Sequence, residues 1–313
     1  MTDPDTATPR SAIVFPALGS VRKNDLGKFL MVDPFARERV AVANEVLGHH
    51  IADALLASDG DYAPAVQIAF FVACLSLADF AERKLGMTPD FCVGPSFGER
   101  TALAYTGVLS YPDALRLVDT IARTEREYFA RAHTGIVTHS FVRVPEDRLK
   151  ELLSGLDARD EWFDISGHLD RDFSMVSLHE RALPEFEADI RAGGGYSMST
   201  MRPPAHAGIF SSLRERIAAE VDANFSLAAP RIPIVSYQDG ARLDTPAAVR
   251  SALLDGFVRP IRWPDAVRSL RDLAVERLYF TGVDSMFHRL KSTVDNFAVE
   301  LVDLRRVLYP PRR

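Results

Sequence analysis

Cysteine is scarce in this chain: two in 313 residues, Cys74 and Cys92. Neither stands in a CxxC or other metal-ligand spacing, and both lie in apolar runs. They read as buried core thiols, which excludes a disulfide framework and suits a reducing compartment. An excess of basic residues is also missing: the net charge is −6 and the pI about 5.8. Non-specific nucleic-acid binding is a poor fit to that balance. The one dense basic stretch, Arg305, Arg306, Arg312 and Arg313, reads as a solvated tail. Met1–Arg10 lacks the apolar core of a signal peptide and reads as a disordered leader. No run reads as long enough to span a bilayer. No internal repeat or low-complexity segment stands out. The expectation is a cytoplasmic protein with no metal site, no nucleic-acid partner and no membrane partner.

The hydrophobic fraction is 47% and the charged fraction 26%, ordinary globular values. The length suggests one large domain carrying a smaller inserted one. Ser11–Phe15 (SAIVF) is a short apolar run cut off by Pro16 and Gly19, the pattern of a buried strand ending in a functional loop. A charged helical stretch follows over Phe35–Leu56, then a densely apolar helix over Ala63–Leu85. Phe91–Val93 is a second buried strand, and Glu99–Ala104 and Tyr111–Phe129 read as helices. Strand, helix, strand and helix in that order imply a parallel sheet.

The pattern changes near residue 132. Gly135–Val144 alternates like a half-exposed strand, Glu146–Leu156 is an amphipathic helix, and Trp162–Ser166 and Phe173–Leu178 are strands. Glu180–Ala192 is a helix and Tyr196–Met201 a last strand. The order βαββαβ is that of a ferredoxin-like subdomain. From Pro203 the chain returns to long helices and one short strand, Ile232–Tyr237. The predicted architecture is α/β. An α/β-hydrolase-like parallel-sheet large domain (11–131 and 202–313) carries an inserted ferredoxin-like subdomain (132–201).

Val93-Gly94-Pro95-Ser96-Phe97-Gly98-Glu99 places Ser96 in a GxSxG frame between a strand and a helix. That is the context of a nucleophile elbow: glycines permit the sharp turn, and the helix N-terminus aims N–H groups at the site. A serine hydroxyl needs a base. Of the eight histidines, His206 differs in following Pro203-Pro204-Ala205, where the chain leaves the subdomain and borders the cleft. A lone histidine is more often structural than catalytic, so position alone leaves it a candidate.

These residues resemble the acyltransferase family that includes malonyl-CoA:carrier-protein transacylases and polyketide-synthase acyltransferase domains. Phe15-Pro16-Ala17-Leu18-Gly19-Ser20 is similar to its FPGQGSQ-like loop, and Gly94–Glu99 to its GHSxGE elbow. Ala102–Ser110, Pro204-Ala205-His206, Ile232–Ser236 and Arg259–Trp263 look like its later markers. The resemblance covers nearly the whole chain. It implies a Ser96–His206 dyad, with the histidine oriented by a backbone carbonyl near Gly256. It implies an oxyanion hole from the backbone N–H groups of Leu18 and Phe97. No cofactor is implied; the acyl group rides on the phosphopantetheine of acyl carrier proteins, donor and acceptor. Carrier proteins are acidic, so Arg143, Arg202 and Arg289 are candidates for the docking rim, beside the plain reading of each as a surface arginine.

The departures bear on substrate. Pro95 replaces the histidine before the serine, Leu18 replaces the loop glutamine, and Thr281–Ser285 replaces a glycine-rich marker. Malonyl-type members hold the substrate carboxylate with an arginine 25 residues after the serine, and that position is Ile121. Arg123 is two residues on, turned by about 200° on a helix. Ile121, Pro95 and the small Ala205 are therefore expected to form an apolar acyl pocket. The leading expectation is a discrete acyltransferase of polyketide or antibiotic assembly. It would move an acyl group without a free carboxylate, such as an aminoacyl or dipeptidyl group, between carrier proteins. The alternatives are a malonyl-CoA transacylase and an acyl-thioester hydrolase.

Overall fold

A computed structural model of the chain describes residues 9–283 and 286–309. The leader through residue 8, Asp284 and Ser285 of the Thr281–Ser285 segment, and Arg312 and Arg313 lie outside the described residues. The chain runs β1 (Arg10–Val14), α1 (Lys23–Val32), α2 (Pro34–Leu47), α3 (Ile51–Ala57), α4 (Pro64–Leu85), β2 (Phe91–Val93), α5 (Gly98–Tyr105) and α6 (Tyr111–Phe129). Then come β3 (Ile136–Val142), α7 (Glu146–Ala158), β4 (Phe163–Asp170), β5 (Phe173–His179), α8 (Leu183–Ala192) and β6 (Tyr196–Met201). The last part holds α9 (Ser211–Asn224), β7 (Ile234–Val235), β8 (Arg242–Leu243), α10 (Pro246–Asp255), β9 (Ile261–Arg262) and α11 (Trp263–Asp272). It ends with β10 (Val275–Thr281), α12 (Lys291–Val294), β11 (Ala298–Val302) and α13 (Leu304–Leu308).

The larger sheet has the order β11-β10-β1-β2-β7-β8. All its pairs are parallel except β7 with β8. Its centre is β1, whose Ala12, Ile13 and Val14 are completely buried. Both faces of such a strand are covered, so it reads as a continuous apolar run without alternation. Ile13 pairs with Cys92 and Val14 with Val93, which sets the loop after β1 beside the turn after β2. Helices pack on one face around Phe29, Phe70, Phe71 and Leu115, and the other face holds a second core around Trp263, Phe280 and Phe287.

Helix ends follow local chemistry. Asp33 caps α2 through the N–H of Ala36, and Gly48, at φ 72°, ends it. That break divides the helix expected over Phe35–Leu56 into α2 and α3. Ser110 caps α6 through the N–H of Asp113. Helix α4 is, by length and composition, long and apolar enough to cross a membrane, with a mean hydropathy of 1.7 over its best window. This corrects the expectation that no run reaches that length. Yet 78% of that window is buried inside the protein, where it packs against α2 and α6 as the central core helix.

The second sheet has the order β6-β3-β5-β4-β9. The first four strands are the expected βαββαβ unit. Helices α7 and α8 cover one face through Leu152, Leu156, Phe186 and Ile190, packed on Val137, Phe141 and Val176. Two features differ from expectation. Strand β9 comes from the large part of the chain and pairs in parallel with β4, Gly167 opposite Ile261, so the sheet is not confined to residues 132–201. A two-residue strand gives no periodic signal. And β3, expected half-exposed, is buried on both faces over Ile136–Phe141. Its second face carries Thr138 and Ser140 and packs on other protein. There Thr138 Oγ1 accepts from the N–H of Ala205 at 3.0 Å.

Candidate active site

The turn after β2 is built around two glycines. A Cβ on Gly94 would stand 2.3 Å from the backbone of Gly98, and one on Gly98 would stand 2.0 Å from the carbonyl oxygen of Phe15. Neither position has room for a side chain. The close approach locks the turn against the end of β1, and Ser96 is held at φ 54° between them. A left-handed conformation costs a non-glycine residue energy and persists only where the surroundings enforce it. The N–H groups of Gly98, Glu99 and Arg100 donate back to the carbonyls of Pro95, Ser96 and Phe97, starting α5. None of those bonds uses the N–H of Phe97, the residue after the serine.

His206 is brought to this turn by the segment that leaves β6. Besides the Ala205–Thr138 bond, the N–H of Gly208 donates to Asp164 Oδ2 at 2.7 Å. Thus β3 and β4 of the small sheet grip the residues on either side of the histidine. The imidazole is almost fully buried and also sits at a left-handed backbone position, φ 58°. Its Nε2 lies 2.9 Å from Ser96 Oγ. Burial pushes its pKa down to about 4, with the Arg100 charge adding to the shift; backbone groups of Gly256 and Arg259 oppose it. Nδ1 is buried and makes no hydrogen bond among the described residues. The ring is therefore neutral near pH 7 and able to accept a proton through Nε2.

A second layer lies under the dyad. Tyr237 stacks edge-on to His206, with ring centroids 6.3 Å apart. Its hydroxyl donates to Glu99 Oε2 at 3.5 Å, a long bond. The Glu99 carboxyl is buried, and loss of solvation pushes its pKa up to about 8.

Ser96 and His206 open into a cavity of about 950 Å³. Leu18, Phe97, Ala205 and Arg202 also line it. Two residues expected in the pocket do not. Pro95 is buried within the turn, where its carbonyl accepts from Gly98. Ile121 is completely buried in the helical core. The cavity-facing residue is its neighbour Ala122. Successive helical residues differ by about 100°, so one step moves a side chain from cavity to core. The wall there is still apolar, but a different residue supplies it. Arg123 reaches the wall, yet it is well exposed and paired with Asp119 at 2.8 Å.

Of the three rim arginines, only Arg202 lies on the cavity, and its Nε donates to Glu180 at 2.9 Å. Arg143 is exposed just after β3, and Arg289 is exposed with its Nε bonded to His288. The sequence reading missed Arg100, Gln67 and Glu125, polar residues on the cavity wall. One signal was available: Arg100 stands four residues after Ser96, in the first turn of the helix that follows the elbow.

The chain matches the family model described as the VinK acyltransferase small domain over residues 140–201. It is 24% identical over 283 residues to the malonyl CoA-acyl carrier protein transacylase of Salmonella typhimurium, covering 87% of this chain and 88% of that protein. It is 27% identical over 284 residues to the polyketide biosynthesis protein ThaF of Burkholderia thailandensis, covering 88% of this chain and 23% of that larger protein. Among solved structures, a malonyl-transacylase in complex with its type II polyketide-synthase acyl-carrier protein superposes with a TM-score of 0.82 at 20% identity, covering 96% of this chain and 99% of that one. The motifs, the two-sheet fold and these relatives agree: the chain is similar to malonyl-CoA:carrier-protein transacylases and polyketide-synthase acyltransferases, and the kind of enzyme is an acyltransferase.

Proposed function

We propose that the chain is a discrete cytoplasmic acyltransferase of polyketide or antibiotic assembly. It passes an acyl group without a free carboxylate from one acyl carrier protein to another through an acyl-enzyme on Ser96. The observation that carries the reading is the 2.9 Å contact between Ser96 Oγ and a neutral, buried His206 at the wall of a large cavity. His206 Nε2 takes the Ser96 proton as Oγ attacks the thioester carbonyl. The N–H groups of Phe97 and Leu18 face the oxyanion that forms. Collapse of the tetrahedral intermediate expels the pantetheine thiolate, which takes the proton back from the imidazolium. The second half repeats these steps in reverse with the acceptor's pantetheine thiol. No bound cofactor enters either half; phosphopantetheine belongs to the substrate.

The absence of a carboxylate rests on the wall of α6. The position that holds arginine in malonyl-type enzymes is Ile121, which is in the core, and Ala122 faces the cavity in its place. Two observations favour the second reading, a malonyl-CoA transacylase. The relatives that align over 87% of the chain include several enzymes of that name. And the exposed Arg126 stands on the cavity wall.

Intact-protein mass spectrometry after incubation with a panel of acyl thioesters separates the readings. A stable adduct on Ser96 from acyl groups lacking a carboxylate, passed on to a second holo-carrier, supports the first. Rapid malonyl loading supports the second, and release of free acid without transfer would make the protein a hydrolase.

A further inference from the structure

Arg100 is a buried cation on the wall of the acyl cavity, four residues beyond the nucleophile on the first turn of α5. Both of its terminal nitrogens are engaged. Nη2 donates to Glu125 Oε1 at 2.6 Å, and Nη1 reaches Glu125 Oε2 at 3.4 Å and Gln67 Oε1 at 2.8 Å. The Gln67 amide is itself held in that orientation, because its Nε2 donates to the carbonyl of Tyr62 at 3.1 Å. Two aromatic rings flank the cation: Arg100 Cζ lies 5.2 Å from the centroid of Phe97 and 5.8 Å from that of Phe257. The ion pair is poorly accessible, the two side chains retaining 10% and 19% of their exposure.

This geometry links three helices, since Gln67 is on α4, Arg100 on α5 and Glu125 on α6. It also places Arg100 beside both the residue after the nucleophile and the cavity. An isolated guanidinium there would be a ready counter-ion for a carboxylate on the acyl group, with the bidentate geometry such a pair needs. Glu125 already occupies that role. A substrate carboxylate entering the cavity would have to displace Glu125 or sit beside it, and two carboxylates cannot share one poorly solvated cation without a cost. Arg123 and Arg126 also reach the cavity wall, but both are exposed, where solvent screening makes a charge a weaker partner for a carboxylate than a buried one.

We propose that Arg100 and Glu125 form a specificity-determining pair, in which Glu125 neutralises Arg100 internally and thereby excludes acyl groups bearing a free carboxylate. The proposal rests on the acyl-transfer reading above and names the residues that set its substrate class. Removing the Glu125 charge while keeping Arg100 uncovers a cation next to the acyl position. Removing both charges leaves a neutral cavity with no such cation.

The experiment compares malonyl-CoA with butyryl-CoA as acyl donors, following the mass of the Ser96 adduct over time. Glu125→Gln should raise the malonyl-to-butyryl ratio of loading rates by about tenfold or more over wild type. The double variant Arg100→Gln/Glu125→Gln should return that ratio to the wild-type level or below. Circular dichroism checks that each variant is folded. If Glu125→Gln does not fold, Glu125→Asp draws the carboxylate back by one methylene and should move the ratio the same way by less. A folded Glu125 variant with an unchanged ratio overturns the proposal, as does a double variant that keeps the gain. The wild-type rates speak separately to the reaction. Fast malonyl loading by wild type would refute the carboxylate-free reading, whereas the change in ratio on substitution tests the pair alone.

Discussion

His206 Nε2 and Ser96 Oγ stand 2.9 Å apart across 110 residues of sequence, and both residues hold left-handed backbone. Two strained positions meeting at one hydrogen bond show that the surrounding framework fixes the pair. The serine is held by the glycine-locked turn after β2, and the histidine by hydrogen bonds from the small sheet to its neighbours. If this contact is the catalytic dyad, Ser96→Ala should abolish the acyl-enzyme and leave the melting temperature close to wild type. His206→Ala should slow loading by a factor on the order of 10²–10⁴, the usual worth of a general base. Stopped-flow loading with a chromogenic thioester measures both. More than a trace of transfer by Ser96→Ala would remove the serine from the mechanism.

Ile121 provides a test that separates core from cavity. Were it part of the pocket, Ile121→Arg would install a carboxylate-binding cation and improve malonyl loading. Its complete burial in the helical core predicts the opposite. An unpaired guanidinium among apolar side chains costs several kcal/mol, so the variant should be insoluble or melt far below wild type. Thermal denaturation reads this directly. A soluble variant of normal stability that loads malonyl faster would place the residue on the cavity after all.

Glu99 and His206 predict opposite pH dependences of stability. Glu99 titrates higher in the folded protein, about 8 against an ordinary 4.5. Its contribution is fully present below 4.5 and is lost as the pH rises through 8. His206 is shifted down, to about 4 from 6.5, so its contribution is present above 6.5 and fades as the pH falls toward 4. Glu99→Gln cannot ionise. It should flatten the decline in unfolding free energy between about pH 6 and pH 8, by an amount on the order of a few kcal/mol at most, read by urea denaturation at each pH. The same slope in wild type and variant would mean that Glu99 is already ionised in the fold.

Much of this was legible in the sequence, and the failures have physical causes. The elbow is readable because Gly94 and Gly98 are fixed by steric contact, which leaves no alternative residue. The βαββαβ order is readable because its strands and helices are long enough to carry a period. Strand β7 lies inside the run read over Ile232–Tyr237, whereas β8 and β9 are two residues each, too short for any periodic signal. Strands β10 and β11 went unread, although at seven and five residues they are longer. Thr138 and Ser140 look solvent-facing in sequence. Thr138 is buried where it bonds to Ala205, next to His206, and Ser140 where it bonds to Ser199 of β6, contacts that no local pattern encodes. Counting from Ser96 to Ile121 failed for a similar reason: one residue of drift on a helix exchanges the cavity for the core.

The last expectation concerns the carrier protein. Carrier proteins of this family are acidic, while this chain has a net charge of −6, so docking needs a local basic rim. Arg202 fits least, because Glu180 already pairs with it. Arg143 and Arg289 are exposed, and neither forms an ion pair among the described contacts. Exposed charges at a rim act mainly on encounter rate and its salt dependence. Arg143→Ala and Arg289→Ala should therefore slow transfer from a carrier-bound acyl group, with a smaller loss as salt rises. Reaction with a short pantetheine thioester, which has no acidic surface, should be nearly unchanged. Parallel assays with both donors at two ionic strengths make the comparison. An equal loss with both donors would assign these arginines to the fold or the cavity, and no loss with either would put the docking rim elsewhere on the protein.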